Sequence, residues 1–301
     1  MALQLNNQRK TSEADTVSLM YKQFLLPYVL FLIPSLVQPT VAHDADPVSA
    51  EGGKTECCIN AAEDIAQLHK SADRLYAHFR PKEAARELQK ILLVDEQNLE
   101  ALVKLSRAHI DIGDMISESS PDAQERKMKE YRIAEDYARK AIRANPNSTW
   151  GYFYVAGSLG SMAILSPVDK QIDIAVEIRD AVEKAIALDP QNGFAYHIYG
   201  VWHRKMAEVG EASRVFVSVR YGRSIPAGSV EKSIEYLEKA VALNPKVLVS
   251  RLELARSYVA AENWTLARNS LISVRELPNQ FSDDAKHKQK AEQLLEEIKE
   301  R

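Results

Sequence analysis

Between residues 61 and 301 the apolar positions recur every three or four residues, and the blocks they form close alike. ARKAIRANPN (138–147), VEKAIALDPQ (182–191) and LEKAVALNPK (237–246) each end an amphipathic run with Asn-Pro or Asp-Pro. The Asn or Asp is expected to cap, and the proline to start the next helix, where its missing N–H is not needed. A degenerate copy ends in KILLVDEQN, with Glu96 in the proline's place. Pro146 and Pro190 are 44 residues apart, Pro190 and Pro245 are 55 apart, and Pro245 to Asn279 is 34. The unit therefore repeats with uneven length.

Counted from each closing position, the copies share one phase. Ten residues on stands a small residue: Ser106, Ala156, Gly200 and Ala255. Around it, six, nine and thirteen on, stand mainly bulky ones: Leu102, Leu105 and His109; Tyr152, Val155 and Leu159; Tyr196, Tyr199 and His203; Arg251, Leu254 and Tyr258. These spacings put them on one face of a first helix, and the small residue admits a partner helix at close range. Counted backwards, Ala84, Ala134, Ile178, Ser233 and Ala267 lead the facing stripe of a second helix. The pattern resembles tetratricopeptide repeats, helix pairs of about 34 residues. It predicts an all-α superhelix of about five stacked hairpins over 61–301, with 283–299 as a closing cap that presents Leu294, Leu295 and Ile298. The extra length falls inside the hairpins: about 16 residues after Gly113, about 10 after Ala163 and about 21 after Ala207.

The segment before the repeats has a different character. Residues 24–37 (FLLPYVLFLIPSLV) carry no charge, follow Arg9, Lys10 and Lys22, and precede Pro39-Thr40-Val41-Ala42. Basic, apolar, then small is the order of an export signal, and the apolar core is shorter than the ~20 residues of a membrane-spanning helix. Residues 1–42 are thus expected to be a signal peptide, cleaved after Ala42, or an uncleaved N-terminal anchor. Residues 43–60 are expected to be a flexible linker. Localisation follows: exported to a periplasm or secreted, or else membrane-anchored. Cys57 and Cys58 are adjacent and read as an unpaired or intermolecularly paired surface dithiol, to which no chemistry is assigned.

Composition narrows the function. Glycine is scarce (11 residues), which disfavours glycine-rich phosphate-binding folds, and the net charge of −3 argues against a nucleic-acid partner. Two cysteines build neither a disulfide scaffold nor a four-Cys zinc site. No HExxH, GxSxG, GxGxxG, P-loop or CxxC pattern occurs. His197 and His203, six apart, do not share a helix face and read as packing residues. An enzyme is not expected, nor a cofactor or a metal.

What remains is the concave side of the superhelix. In phase, it is lined by Val103, Arg107 and Ile110; Phe153, Gly157 and Gly160; His197, Val201 and Arg204; and Leu252, Arg256 and Val259. The candidate partner groove is Val103, Arg107, Phe153, Gly157, His197, Val201, Arg204 and Arg256. Apolar walls with three arginines suit a peptide or protein, or an anionic lipid, since guanidinium grips carboxylate or phosphate with two bonds. The Asn and Lys clamp of tetratricopeptide domains that hold a C-terminal carboxylate is absent, its positions being Arg107, Gly157, Val201 and Arg256. The insertion at 208–228 mixes Val215, Phe216, Val217 and Val219 with Arg214, Arg220 and Arg223, and reads as an amphipathic partner surface or as an extension packed on the array.

The segments GSMAILSP (160–167), GVWHRKMAEVGEASRVFVSVRYGRSIPAGSVEKSIEYLEKAVALNP (200–245) and the following RLELARSYVAAENWTLARNSL together resemble the regulator of microtubule dynamics family. The family's insertion, of the form Tyr-Gly-x-x-Pro-x-x-Ser before a helix ending Asn-Pro, is matched by Tyr221, Gly222, Ile225, Pro226, Ser229 and Pro245, with slightly different spacing. The resemblance spans about 65–300. It implies a tetratricopeptide-like scaffold without a catalytic motif, associated with microtubules or membrane contact sites. The microtubule role carries over only to a cytosolic domain, so the export signal sets the two readings against each other.

Overall fold

The computed structural model describes residues 55–281 and 284–301. The expected leader and most of the expected linker lie outside them, as do the side chains of residues 55–61, Cys57 and Cys58 included. The described residues form twelve helices. They are α1 (Thr55–Ala77), α2 (Pro81–Val94), α3 (Leu99–Asp114), α4 (Ala123–Ala144), α5 (Thr149–Leu165), α6 (Val168–Leu188), α7 (Gly193–Ala207), α8 (Glu211–Tyr221), α9 (Val230–Leu243), α10 (Leu248–Ala260), α11 (Trp264–Glu276) and α12 (Asp284–Glu297). Because α1 starts at Thr55, residues 55–60 are helix and not linker.

The pairing follows the repeat phase. α1/α2, α3/α4, α5/α6, α7/α9 and α10/α11 form five hairpins, and each second helix also packs on the first helix of the next hairpin. α12 packs on α11 and α10, where a sixth first helix would stand. It buries Asp284, His287 and Ala291, is followed by the buried Ile298, tucks Leu294 and Leu295 against the core, and turns most of its charged residues outward, as a cap must. One apolar core runs through the second to fifth hairpins, and a smaller one joins α1, α2 and α3.

The small residue works as its position implies. Ser106, Ala156 and Ala255 are fully buried, and Ser106 Oγ donates to the Ala134 carbonyl at 2.7 Å. At Gly200 a Cβ would stand 2.5 Å from Leu237 Cγ and 3.0 Å from the Ser233 carbonyl. Gly200→Ala is therefore expected to lower stability by about 1–3 kcal/mol through overpacking, read as a drop in urea midpoint at unchanged slope.

The closing dipeptide acts differently from expectation. Asn145, Asp189 and Asn244 end α4, α6 and α9 with φ of −145, −142 and −128. A residue before proline is pushed out of the helical region, so the dipeptide stops one helix without starting the next. After Pro146 and Pro190 a side chain two residues on caps the next helix, whereas after Pro245 that position is Val247, which makes no side-chain cap. Ser148 Oγ accepts from Gly151 N at 3.1 Å, and Asn192 Oδ1 accepts from Ala195 N at 3.1 Å. The insertions take three forms. After Gly113 a loop precedes a lengthened α4, after Ala163 the extra residues extend α6, and after Ala207 they form α8 and its return loop.

Candidate functional site

The first helices α3, α5, α7 and α10 bring the expected groove residues to one side, and there most of them are buried. Val103, Phe153 and Val201 belong to the core, and Phe153 meets Trp150 edge-on at 5.5 Å. Gly157 and Gly160 are buried. The aromatic and aliphatic members thus serve packing between neighbouring first helices, because the array curves tightly enough for these helices to touch one another.

The arginines are engaged by the chain's own groups. Arg107 lies 3.9 Å over the Tyr76 ring, beside Asp111, whose carboxylate accepts from the Tyr76 hydroxyl. Burial lowers its pKa to about 10, which leaves it charged at neutral pH. Arg204 is 3% exposed; it donates to Glu208 at 2.7 Å and to the buried Glu253. Arg256 donates to the other oxygen of Glu253. Burial pushes Glu253 up, but Arg256 and Arg204 outweigh it and hold its pKa at about 2. Sequence reasoning missed these carboxylates. Their spacing was the available signal: Arg107/Asp111 and Arg204/Glu208 are four apart, and Glu253/Arg256 three apart.

Histidines complete the interior. His197 Nδ1 stands 3.1 Å from Ser250 Oγ on α10. His203 is boxed by Tyr199, Trp202 and Tyr236, with no hydrogen-bond partner for either ring nitrogen among the described residues. His287, on the first turn of α12, is buried within the electrostatic reach of Glu253, Arg256 and His197. Its neighbour Lys286 acts in turn on Asp114 at the end of α3. α12 itself packs on α10 and α11. Among the described residues, no group of three His, Cys, Asp or Glu side chains is arranged to hold a metal ion.

A cavity of about 100 Å³ lies where α5, α6 and α7 meet. Gly160, Ala163 and Ile164 form one wall, Ala175 and Ile178 a second, and Val201, Trp202 and Met206 a third. Gln171 and Lys205 supply its polar atoms. Trp202 is held in place by its indole N–H, which donates to the Ala175 carbonyl at 2.8 Å. Val201 and Gly160, expected in the groove, are thus brought together here; Arg107 and Arg256 are not.

Stacked hairpins with small-residue contacts define a tetratricopeptide-like helical repeat protein. A thermophilic TPR protein of Thermus thermophilus, TTC0263, has the same fold, with a TM-score of 0.57 at 15% identity, covering 77% of this chain and 98% of that one. The family can be named more closely. The profile of regulator of microtubule dynamics protein 1-3 matches residues 68–299, and the chain belongs to that family. Mouse regulator of microtubule dynamics protein 1 is 25% identical over 238 residues, covering 79% of this chain and 76% of the relative. Xenopus laevis regulator of microtubule dynamics protein 3 is 24% identical, covering 77% of this chain and 50% of the relative.

Proposed function

We propose that this protein is a non-enzymatic scaffold that takes a peptide or protein partner on the concave side of its superhelix. The observation that carries this reading is the cavity between α5, α6 and α7. Pockets for cofactors and drug-sized molecules measure about 300–1,000 Å³. At about 100 Å³ this one fits a single aliphatic side chain of a partner, with Lys205, whose ammonium donates to Glu208 at 2.9 Å, at its rim. Seating one such side chain is worth about 1.5–3 kcal/mol.

Ala163, half-buried in the wall, offers the test. Peptides selected from a displayed library against the full chain should share an aliphatic or aromatic anchor. Ala163→Leu fills the cavity, and should weaken them by roughly ten- to a hundredfold with an unchanged melting temperature. Equal binding to both proteins would refute the site.

The apolar walls beside Lys205 also favour a second reading, an anionic amphiphile with one chain end in the cavity. Native mass spectrometry of the purified protein separates the two, since a retained amphiphile supports only the latter. A microtubule role, which the family's name suggests, requires a cytosolic domain. Export predicts a mature chain beginning at His43, which N-terminal sequencing reads directly.

A further inference from the structure

α8 is turned the wrong way round for a helix in water, and its orientation is fixed. Arg214 holds one side: Nε donates to the Val209 carbonyl at 3.1 Å, Nη1 to Ile225 at 3.0 Å and Pro226 at 3.4 Å, and Nη2 to Met206. Val217 is fully buried. The return loop is seated on the end of α7 at Gly228, where a Cβ would come within 2.2 Å of the His203 carbonyl and 2.5 Å of Ala207 N. At about 100° per residue, Val215 and Val219 lie within about 20° of the direction opposite Val217. The pinned rotation therefore aims two valines outward, and they are 53% and 83% exposed. No other described helix packs closely along α8.

Charge frames this apolar ridge. The insertion at 208–228 contains Arg214, Arg220 and Arg223 against Glu208 and Glu211, and Glu208 is already paired with Arg204 and Lys205. Arg220 follows Val219 directly, with its guanidinium 5.3 Å from the Tyr221 ring centroid, and Arg223, 44% exposed, pairs with Asp173 of α6. We propose that α8 docks on the surface of an acidic phospholipid bilayer, with Val215 and Val219 entering the interface and Arg220 meeting the phosphates. A helix of 11 residues is about 16 Å long, too little for the ~800 Å² per partner of a stable protein interface. A bilayer needs no matching shape, only an apolar ridge with cations at its edge.

The test uses the full chain with Cys57→Ser and Cys58→Ser, and an environment-sensitive fluorophore at Val219→Cys. The control carries it at Ile272→Cys, an exposed position on α11. Phosphatidylcholine vesicles containing phosphatidylserine should blue-shift the label at 219 and not at 272. Pure phosphatidylcholine should do so far less, and Arg220→Glu should weaken the response roughly tenfold or more. Four results would overturn the proposal: no shift at 219; an equal shift with neutral vesicles; a shift that grows with protein concentration alone, which indicates a second copy; or a vesicle-independent shift abolished by deleting residues 24–37, which makes that segment the occupant.

Discussion

Lowering the pH from 7 to 4 should cost this fold several kcal/mol. Burial, chiefly, pushes the pKa of His197 and His203 down to about 4, and that of His287 to about 3. In the unfolded chain all three titrate near 6.5. Between pH 6.5 and about 4 the unfolded chain binds protons that the folded one refuses, so stability falls as pH falls through that window. Asp114 works in the opposite direction. Burial raises its pKa to about 7 from an ordinary 3.8, so its protonation favours the fold over part of the same range. Three groups against one leaves a net loss, since a tenfold difference in proton affinity between the folded and unfolded chain corresponds to about 1.4 kcal/mol. Urea midpoints at a series of pH values check this, and His203→Phe should flatten the dependence. A stability that stays constant from pH 7 to 4 would show that the histidines reach water.

Arg204→Ala is the single substitution expected to do most harm, about 3–5 kcal/mol, because it removes one of two cations from a buried carboxylate. Arg204→Met combined with Glu253→Leu should recover most of that loss, since well-packed apolar residues often replace a buried ion pair without penalty. Melting temperatures of the single and double variants measure it. An equal loss in both would assign the effect to the net attraction within the ion pair and not to the stranded carboxylate. The pair has its own pH window. With Glu253 held at about 2, its contribution is present above the ordinary 4.5 and disappears as pH falls toward 2.

The hairpin phase was legible in the sequence because it is local. Leu88, Ala138, Val182, Leu237 and Leu271 occupy one repeat position, and all five are essentially fully buried. Ser106 and Gly200 were legible for the same reason, as contact geometry between adjacent helices forces a small residue at a set distance from the helix end. The groove was harder to read. Whether Arg107 and Arg204 face water depends on how sharply the array curves, and curvature sums small rotations over many residues. Glu253 bridges Arg204 and Arg256 from two different helices, which no single-helix pattern reveals. The insertion after Ala207 was legible as amphipathic, but the direction of its apolar side depends on Arg214 finding carbonyls up to twelve residues away.

The position of α12 changes the kind of transition this molecule undergoes. In an open solenoid each unit answers only to its neighbours, so the ends fray first and melting proceeds stepwise. Here α12 continues a row of first helices that touch one another, α3 with α5, α5 with α7, α7 with α10 and α10 with α12, so each hairpin is held to the next by two helices and not one. Fraying from the C-terminal end then has to break both contacts at each step, and amide exchange should slow or quicken from α3 to α12 as one cooperative block.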